Sequence, residues 1–319
     1  MSRPDTARPA WDVHRLPAST GRTFLVTGGN AGIGYFVAEQ LAGTGAEVVL
    51  GSRDAAKAHA AMTAIRAQVP GARLRHLPLD LADLPSLAAS AALAPAGLDA
   101  VVLNAGVLLD DPRRRETPQG HELTFATNHL GHFALTALLA PALAPDARIV
   151  TTGSFTAKSA RLDFADLMSA RDYRPKPAYV RSKLAQVLTG FELDRRLRAA
   201  GSAVRSVVVH PGGALDGLTP SRPPVHAGRS PHVLPAGLLL HGKHAGAWSA
   251  VRAVLDPDVR GGELWGPRVA GMRGRPRRER VRGPFADLDA AAQLWAISAD
   301  LTGTDPDFPS TAGHRDPRA

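Results

Sequence analysis

The sequence contains no cysteine, which excludes disulfide bonds and cysteine-ligated zinc. Lysine is also scarce, because only 5 of the 38 basic residues are lysine and the others are arginine. Aromatic residues make up 5% of the chain, so alanine, valine and leucine must fill most of a hydrophobic core. The absence of cysteine fits a reducing compartment, and we expect a cytoplasmic protein.

Long apolar runs are missing as well. Residues 1–20 are polar and rich in proline, without the apolar region of a signal peptide. No stretch reaches the roughly 18 apolar residues that a membrane span needs. We therefore expect no signal peptide and no membrane span, and we expect residues 1–20 to form a flexible segment.

Basic charge is in excess, with a net charge of +9 that raises the question of an anionic partner. The densest basic run, residues 273–282, has no interleaved aromatic residue that would stack on bases. A solvated loop is the favoured interpretation of this run, with an anion or partner site as the alternative. We expect no nucleic acid partner.

Short β-branched runs alternate with helical stretches rich in alanine and leucine from residue 23 onward. Several runs are apolar almost throughout, as in parallel strands that are buried on both faces. The pattern predicts one α/β domain over residues 21–302, a doubly wound parallel β-sheet with helices on both faces. We expect a loop over about 213–235 and a disordered tail over 303–319. The predicted strands are 23–27, 47–50, 73–79, 98–104, 147–152, 203–210 and 261–267, and the main predicted helices are 33–43, 54–68, 119–143, 179–200, 240–255 and 285–299.

A glycine-rich turn follows the first predicted strand and precedes the first helix. Gly28, Gly32 and Gly34 allow a tight turn, close approach of the backbone to a pyrophosphate, and close packing of the helix on the strand. The helix N-terminus presents free N–H groups to phosphates. In this strand–turn–helix context, the turn predicts a dinucleotide site that includes Asn30 and Ile33.

The end of the second strand indicates which dinucleotide binds. An NAD-binding chain usually has an acidic residue there for the ribose 2′-hydroxyl, but Ser52 occupies that position and Arg53 follows. A guanidinium pairs with a 2′-phosphate that a carboxylate would repel. Asp54 is interpreted as the cap of the next helix. NADP(H) is therefore the predicted cofactor, with NAD(H) as the alternative.

Tyr179 and Lys183 lie four residues apart at the start of a long predicted helix, so both side chains share one face. A nearby cation stabilises a phenolate and makes tyrosine a usable acid or base near neutrality. Neither Tyr35 nor Tyr173 has a lysine four residues on. Without further motifs, an ordinary helix with a half-buried tyrosine and an exposed lysine would be the better interpretation.

Further motifs occur in a fixed order along the chain. Asn104-Ala105-Gly106 ends the fourth strand, Asn128 lies in the following helix, and Ser154 follows the fifth strand. With the glycine turn and the Tyr179 motif, this order resembles the short-chain dehydrogenase/reductase family over roughly residues 20–302. The Asn-His-Leu-Gly-His-Phe segment, the Ala-Tyr-x-x-Ser-Lys-Leu segment and the late Gly-Gly-Glu-Leu-Trp-Gly-Pro segment resemble its retinol dehydrogenase and WW-domain oxidoreductase branch. The resemblance implies a Rossmann fold.

The resemblance also implies roles. Tyr179 would be the proton donor or acceptor, and Lys183 would bind the nicotinamide ribose and keep the pKa of Tyr179 low. Ser154 would bind the substrate oxygen, although Thr151 and Thr152 are nearby hydroxyls, and Asn128 would anchor a water. The cofactor would contact, besides the residues of the glycine turn and the second strand, the set Asp80, Leu81, Asn104, Ala105, Gly106, Pro211 and Gly212, with Asp80 at the adenine.

One residue departs from the family pattern, and one pair of histidines needs a separate interpretation. Asp216 stands where the family has a threonine that contacts the nicotinamide amide, with Thr219 three residues later. His129 and His132 lie three apart on a helix, a spacing compatible with a metal pair, but no third ligand is evident. Helix packing is the favoured interpretation of the histidines, and we expect no metal.

The sequence therefore predicts an NADP(H)-dependent enzyme that interconverts an alcohol and a ketone or aldehyde by hydride transfer. A fairly large apolar alcohol, aldehyde or ketone is the expected small-molecule substrate by analogy with the family, and a specialised-metabolite ketone is an equal alternative. The alternatives are an NADP(H)-binding regulator or scaffold without turnover, and a family member that catalyses dehydration or isomerisation. The resemblance also implies a homodimer or homotetramer that associates through helices 119–143 and 179–200.

Overall fold

Runs of aliphatic residues form a central sheet in the computed structural model, which describes residues 11–228, 237–306 and 308. Within these residues the sheet has eight strands, which are β1 (Thr23–Thr27), β2 (Glu47–Ser52), β3 (Arg73–Pro78), β4 (Leu98–Leu103), β5 (Leu143–Thr152), β6 (Arg205–Val209), β9 (Leu264–Val269) and β10 (Arg273–Glu279). Their order across the sheet is β3-β2-β1-β4-β5-β6-β9-β10, and neighbours are parallel except for β9 and β10. A separate short parallel pair is formed by β7 (Ala214–Leu215) and β8 (His241–Gly242).

Helices cover both faces of this sheet. The helices on one face are α1 (Gly32–Ala42), α2 (Ala55–Gln68) and α8 (Trp248–Leu255), and those on the other are α3 (Leu87–Ala92), α5 (Gly131–Leu139), α6 (Pro175–Ala199) and α9 (Leu288–Thr302). In β1, Phe24 and Val26 pack in one core while Leu25 packs in the other. Because the central strands β1, β2, β4 and β6 are buried on both faces, their sequences are mainly apolar. The predicted doubly wound fold is confirmed.

Three predicted segments differ in detail. The predicted helix 119–143 consists of α4 (Leu123–Phe125), a π-helical turn (Ala126–Leu130), α5 and a 3₁₀ turn (Ala140–Ala142). The predicted helix 240–255 begins only at α7 (Lys243–Gly246) and continues in α8. Part of the predicted loop 213–235 forms β7 and a 3₁₀ turn (Asp216–Leu218), and residues 229–235 lie outside the described residues.

The basic run was wrongly predicted as a loop. Residues 273–279 form strand β10, which pairs with β9 in antiparallel fashion at the edge of the sheet. Backbone pairing holds this strand, so it needs few apolar side chains, and its arginines point largely to solvent. Arg278 forms an ion pair with Glu263 on the neighbouring segment (3.0 Å).

The segments that flank the predicted domain pack on it where the structure describes them. Val13 and Ser19, within the predicted flexible segment 1–20, are buried, and residues 1–10 lie outside the described residues. Phe308, within the predicted disordered tail, packs in the core beside Trp295, whose indole N–H donates to Asp305. Among the described residues, no helix is long and apolar enough to cross a membrane.

The strand order determines where a ligand binds. Strand β1 lies between β2 and β4, and the helices that follow β1 and β4 lie on opposite faces. Ligands of doubly wound sheets bind at the carboxyl ends of the strands, at this reversal point. The residues that follow β1, β2, β4, β5 and β6 therefore meet at one edge.

Candidate active site

A cavity of about 560 Å³ lies at this edge of the sheet. One end, the Arg53 end, is bordered by Ser52, Arg53, Lys57 and Asp80. The other, the Tyr179 end, is bordered by Gly106, Thr152, Tyr179 and Lys183. The predicted cofactor residues that border the cavity are Gly28, Asn30, Gly32, Ile33, Ser52, Arg53, Asp80, Leu81, Asn104, Ala105, Gly106, Tyr179, Lys183 and Pro211. The other four predicted site residues, Gly34, Asn128, Ser154 and Gly212, are not among the residues that border the cavity.

The glycine turn connects the two ends. Gly28 and Gly32 have positive φ angles of 67° and 58°, which glycine adopts at little cost. Gly34 serves close packing, because a Cβ there would lie 2.3 Å from Gly28 O and 2.4 Å from Asn104 Nδ2. The Asn104 amide in turn donates to Thr27 O (3.1 Å), so the ends of β1 and β4 are joined directly behind the turn.

At the Arg53 end, the cations are exposed. Arg53 follows Ser52 and its side chain is open to solvent. Asp54 caps α2 by accepting a hydrogen bond from Lys57 N (2.9 Å), which confirms the predicted capping role. The Lys57 ammonium is 3.8 Å from Asp54, and its side chain is 72% exposed. Asp80 keeps its carboxylate on the local turn by accepting from Ala82 N (3.0 Å).

At the Tyr179 end, the phenol is half-buried near the end of β5. Burial raises the pKa of Tyr179, and a side-chain hydrogen bond with Ser154 acts in the opposite direction. Ser154 also contacts the Thr156 hydroxyl (2.8 Å). The structure therefore brings Ser154 and Tyr179 together, as the family motif predicts. It does not show the predicted lowering of the Tyr179 pKa by Lys183.

Lys183 is buried, with 4% of its surface exposed, and its ammonium has two protein acceptors. It donates to Thr152 O (3.2 Å) and to Gln186 Oε1 (2.8 Å). Burial lowers the pKa of Lys183 to about 8 because charge is costly away from water. The position beside Gly106 is tight, since a Cβ on that glycine would lie 3.0 Å from Lys183 Nζ.

A buried polar chain continues from Lys183 to the start of the glycine turn. The Gln186 amide nitrogen donates to Leu103 O (3.3 Å) and lies 3.1 Å from His132 Nδ1. His132 Nε2 lies 2.9 Å from the Thr27 hydroxyl, and that hydroxyl accepts from the backbone N–H groups of Asn104 and Ala105. This chain fixes Lys183 relative to the ends of β1 and β4.

Asn128 joins the loop after β4 to α6. Its Oδ1 accepts from Val107 N (2.7 Å), and its Nδ2 donates to Val107 O (3.0 Å) and to Ser182 Oγ (2.9 Å). These contacts place Asn128 directly behind Gly106 and next to Lys183. Its expected water-binding role stays a prediction.

The two histidines have separate partners. His129 contacts Ser298 Oγ on α9 (2.7 Å) and the ring of Phe125, whereas His132 joins the chain to Thr27. Burial lowers the pKa of each histidine to about 3, so both are neutral at ordinary pH. Both histidines therefore serve packing and internal hydrogen bonding, the favoured interpretation of their spacing.

Several bordering residues were not predicted from the sequence. Lys57, Thr152 and Lys243 border the cavity. Gln186 and His132 do not border it, but Gln186 accepts a hydrogen bond from Lys183 and lies next to His132. A lysine near Arg53 in a chain with so few lysines was a usable signal for Lys57. No local pattern indicated the others, because their contacts join distant segments.

The residues present fit a dinucleotide. The cavity has the volume of a typical small-molecule site and is bordered at its centre by the start of α1, where phosphates bind. Among the described residues, the buried Thr152 hydroxyl has no protein partner, and this residue borders the Tyr179 end. Such a group is expected to hydrogen-bond to a bound molecule.

Comparisons with known proteins agree with this geometry. The sequence matches the short chain dehydrogenase family over residues 22–216. Polyprenol dehydrogenase of Mus musculus is 36% identical over 301 residues, which cover 90% of this chain and 86% of that protein. Retinol dehydrogenase 13 of Homo sapiens is 40% identical over 200 residues, which cover 61% of this chain and 59% of that protein.

Solved structures give the same result. An uncharacterized protein from Mycobacterium paratuberculosis superposes with a TM-score of 0.77 at 34% identity, over 93% of this chain and 99% of that one. A short chain dehydrogenase from Burkholderia cenocepacia in complex with NADP superposes with a TM-score of 0.54 at 25% identity, over 74% of this chain and 91% of that one. This chain therefore belongs to the short-chain dehydrogenase/reductase family, in its retinol dehydrogenase-like branch, and is an oxidoreductase.

Proposed function

We propose that this oxidoreductase uses NADP(H) to interconvert an alcohol and a ketone or aldehyde, with Tyr179 as the acid or base. The observation that carries the proposal is a single cavity with Arg53 at one end and Tyr179 and Lys183 at the other. A cofactor bound there supplies or accepts a hydride at its nicotinamide ring. The protein must then bind and orient the substrate and move one proton.

Each residue of the Tyr179 end has a defined task in this proposal. Tyr179 Oη gives its proton to the developing alkoxide during reduction and takes it back during oxidation. Ser154, which is hydrogen-bonded to Tyr179, binds the same substrate oxygen. The Lys183 ammonium places a buried positive charge beside the reacting groups, where charge stabilisation is most effective.

The Arg53 end supports NADP(H) over NAD(H). No acidic side chain stands at the tip of β2, where Ser52 and Arg53 lie, and Asp54 is engaged in capping α2. A guanidinium binds a phosphate through two parallel hydrogen bonds, which a ribose hydroxyl does not allow. The solved relative from Burkholderia cenocepacia is itself an NADP complex.

A large apolar substrate is the class that we propose. Two of the relatives are named for polyprenol and retinol, which are apolar alcohols. Here, Leu108 is 47% exposed just after the wall residue Val107, and Leu238 and Leu239 are 76% and 70% exposed just before β8. Exposed leucines of this kind favour contact with an apolar molecule.

Association into a dimer or tetramer stays part of the proposal. The helices expected to associate are α5 and α6, and α9 of the same chain packs against both of them. Trp295 on α9 contacts Phe133 (4.9 Å between rings) and the guanidinium of Arg196 (4.5 Å). Only the faces of α5 and α6 that α9 leaves open are therefore available for association.

Cofactor titration tests the proposal. We expect NADPH to bind more tightly than NADH, and Arg53→Ala to weaken NADPH binding about tenfold because one charge-assisted contact is lost. NADH binding should hardly change. Arg66→Ala, an exposed arginine of α2, the helix that follows Arg53, is the control. Tighter binding of NADH by the wild-type protein would contradict the proposed cofactor preference.

A further inference from the structure

The segment after β6 places an ion pair at the wall of the cavity. Lys243 Nζ lies 2.5 Å from Asp216 Oδ1, and His226 Nε2 lies 2.8 Å from the same oxygen. Lys243 borders the cavity together with Pro211 and the glycine turn. Asp216 is the residue found in place of the expected threonine, and the proposed reaction uses neither Asp216 nor Lys243.

Lys243 begins a short helix that packs on the first turn of α1. A Cβ built on Gly246, three residues after Lys243, would lie 3.6 Å from Ile33 Cδ1 and 3.4 Å from Pro211 Cβ. The first turn of α1 is where the pyrophosphate of a dinucleotide lies in this fold. Lys243 therefore brings a full positive charge to the part of the cavity that receives the phosphates.

The segment that carries Asp216 is tied to the same α1 helix. Arg222 donates two hydrogen bonds to the Glu39 carboxylate (2.6 and 2.9 Å), and the Tyr35 hydroxyl donates to it as well (2.9 Å). The ring of His226 packs against that of Phe36, with 6.2 Å between centroids. These contacts hold His226, which bonds the Asp216 carboxylate, so Asp216 and Lys243 lie on a segment that is tied to α1.

The ion pair leaves the ammonium able to bind an anion. An ammonium has three N–H donors, and Asp216 is the one ion-pair partner of Lys243 among the described residues. The Asp216 side chain is 70% exposed, so water competes for its carboxylate and the pair is weak. A pyrophosphate carries more charge than one carboxylate and is the stronger partner.

We propose that Lys243 binds the pyrophosphate of the dinucleotide, while Asp216 positions the ammonium and reduces its charge. This inference rests on the proposed function, because it requires a dinucleotide in the cavity. NADP(H) and NAD(H) share the pyrophosphate. Lys243 therefore strengthens the binding of both dinucleotides equally, whereas Arg53 distinguishes between them.

Binding of NADPH, NADH and adenosine 2′-monophosphate to Lys243→Gln tests this assignment by calorimetry or fluorescence, without turnover. We expect both dinucleotides to bind about tenfold more weakly, since a charge-assisted contact is lost. Adenosine 2′-monophosphate carries the 2′-phosphate but neither phosphate of the pyrophosphate, and its affinity should stay within about twofold. Lys158→Gln is the matched control, because Lys158 is also paired with a carboxylate but does not border the cavity.

Asp216→Asn gives the complementary result. Removing the carboxylate charge should tighten dinucleotide binding about threefold, since the ammonium is no longer partly neutralised. Unchanged dinucleotide affinity in Lys243→Gln would overturn the inference while leaving the proposed function intact. A loss of dinucleotide affinity in Asp216→Asn equal to the loss in Lys243→Gln would also overturn the inference. Failure of the wild-type protein to bind either dinucleotide would overturn the proposed function as well.

Discussion

At the Tyr179 end of the cavity, Lys183 is 4% exposed and its ammonium donates to two protein acceptors, whereas at the Arg53 end Lys57 is 72% exposed and is paired only loosely. A buried cation is held by the fold and cannot be replaced by solvent or salt. An exposed cation contributes through electrostatics that water and salt weaken. Changes around the buried Lys183 should therefore have large effects that depend on geometry, whereas removal of the exposed Lys57 should have small effects that depend on salt.

The largest effect on stability is expected where the residue after β4 packs against the glycine turn. Gly34→Ala would place a Cβ 2.3 Å from Gly28 O and 2.4 Å from Asn104 Nδ2, so the turn or the end of β4 must move. We expect a loss of about 3 kcal/mol in the free energy of unfolding and loss of NADPH binding. Thermal denaturation and cofactor titration measure both.

Gly97→Ala is the control for this change. Unlike Gly34, Gly97 has a positive φ angle (74°), but a Cβ there meets no atom within 4 Å. It should cost about 1 kcal/mol from backbone strain alone and leave NADPH binding unchanged. Equal effects of the two substitutions would show that close packing at Gly34 is unimportant.

An intermediate effect is expected from Gln186, which positions Lys183. The pKa of Lys183 is lowered to about 8, so its charge is present below that pH and is lost as the pH rises through it. Gln186→Glu places a carboxylate at the acceptor position and should move the alkaline limb of the kcat profile upward by about one pH unit. The measurement is kcat as a function of pH with a saturating substrate.

Gln186→Leu provides the opposite change at the same position. It removes the acceptor of the ammonium (2.8 Å in the native protein), so the alkaline limb should move to lower pH. A role limited to packing would lower activity without moving the limb. Identical limbs in the native protein and both variants would therefore contradict the positioning role of Gln186.

The smallest effect is expected at Lys57. Lys57→Ala should weaken NADPH binding about twofold to threefold at low salt, and the difference should vanish at high salt because the side chain is exposed. Lys176→Ala, an exposed lysine outside the cavity wall, is the control. A large loss that persists at high salt would show that both ends hold their cations in the same way.

The sequence predicted features that depend on short spacings. The glycine turn, Asn104–Gly106 and the Tyr179–Lys183 pair each lie within one turn or helix face, and each contributes residues to the cavity wall. The alternation of strands and helices predicted the sheet for the same reason. The basic strand β10 was missed because backbone pairing at an edge requires no apolar pattern.

The long-range contacts that hold the cavity residues in place could not be predicted from short spacings. His132 contacts Thr27, 105 residues earlier, and Gln186, 54 residues later. Lys243 approaches α1 only because β7 and β8 pair across a long connection. Such contacts depend on strand order and helix packing, which a single sequence does not specify residue by residue.

The most direct test of the account is oxidation of NADPH by the native protein and by Tyr179→Phe, with a panel of apolar aldehydes and ketones. We expect the native protein to turn over, and the variant to bind NADPH normally while losing on the order of a thousandfold in kcat, since proton transfer is removed. Comparable turnover by Tyr179→Phe would contradict the assigned acid. NADPH binding by the native protein without any oxidation across the panel would contradict catalysis and favour a role in sensing the cofactor.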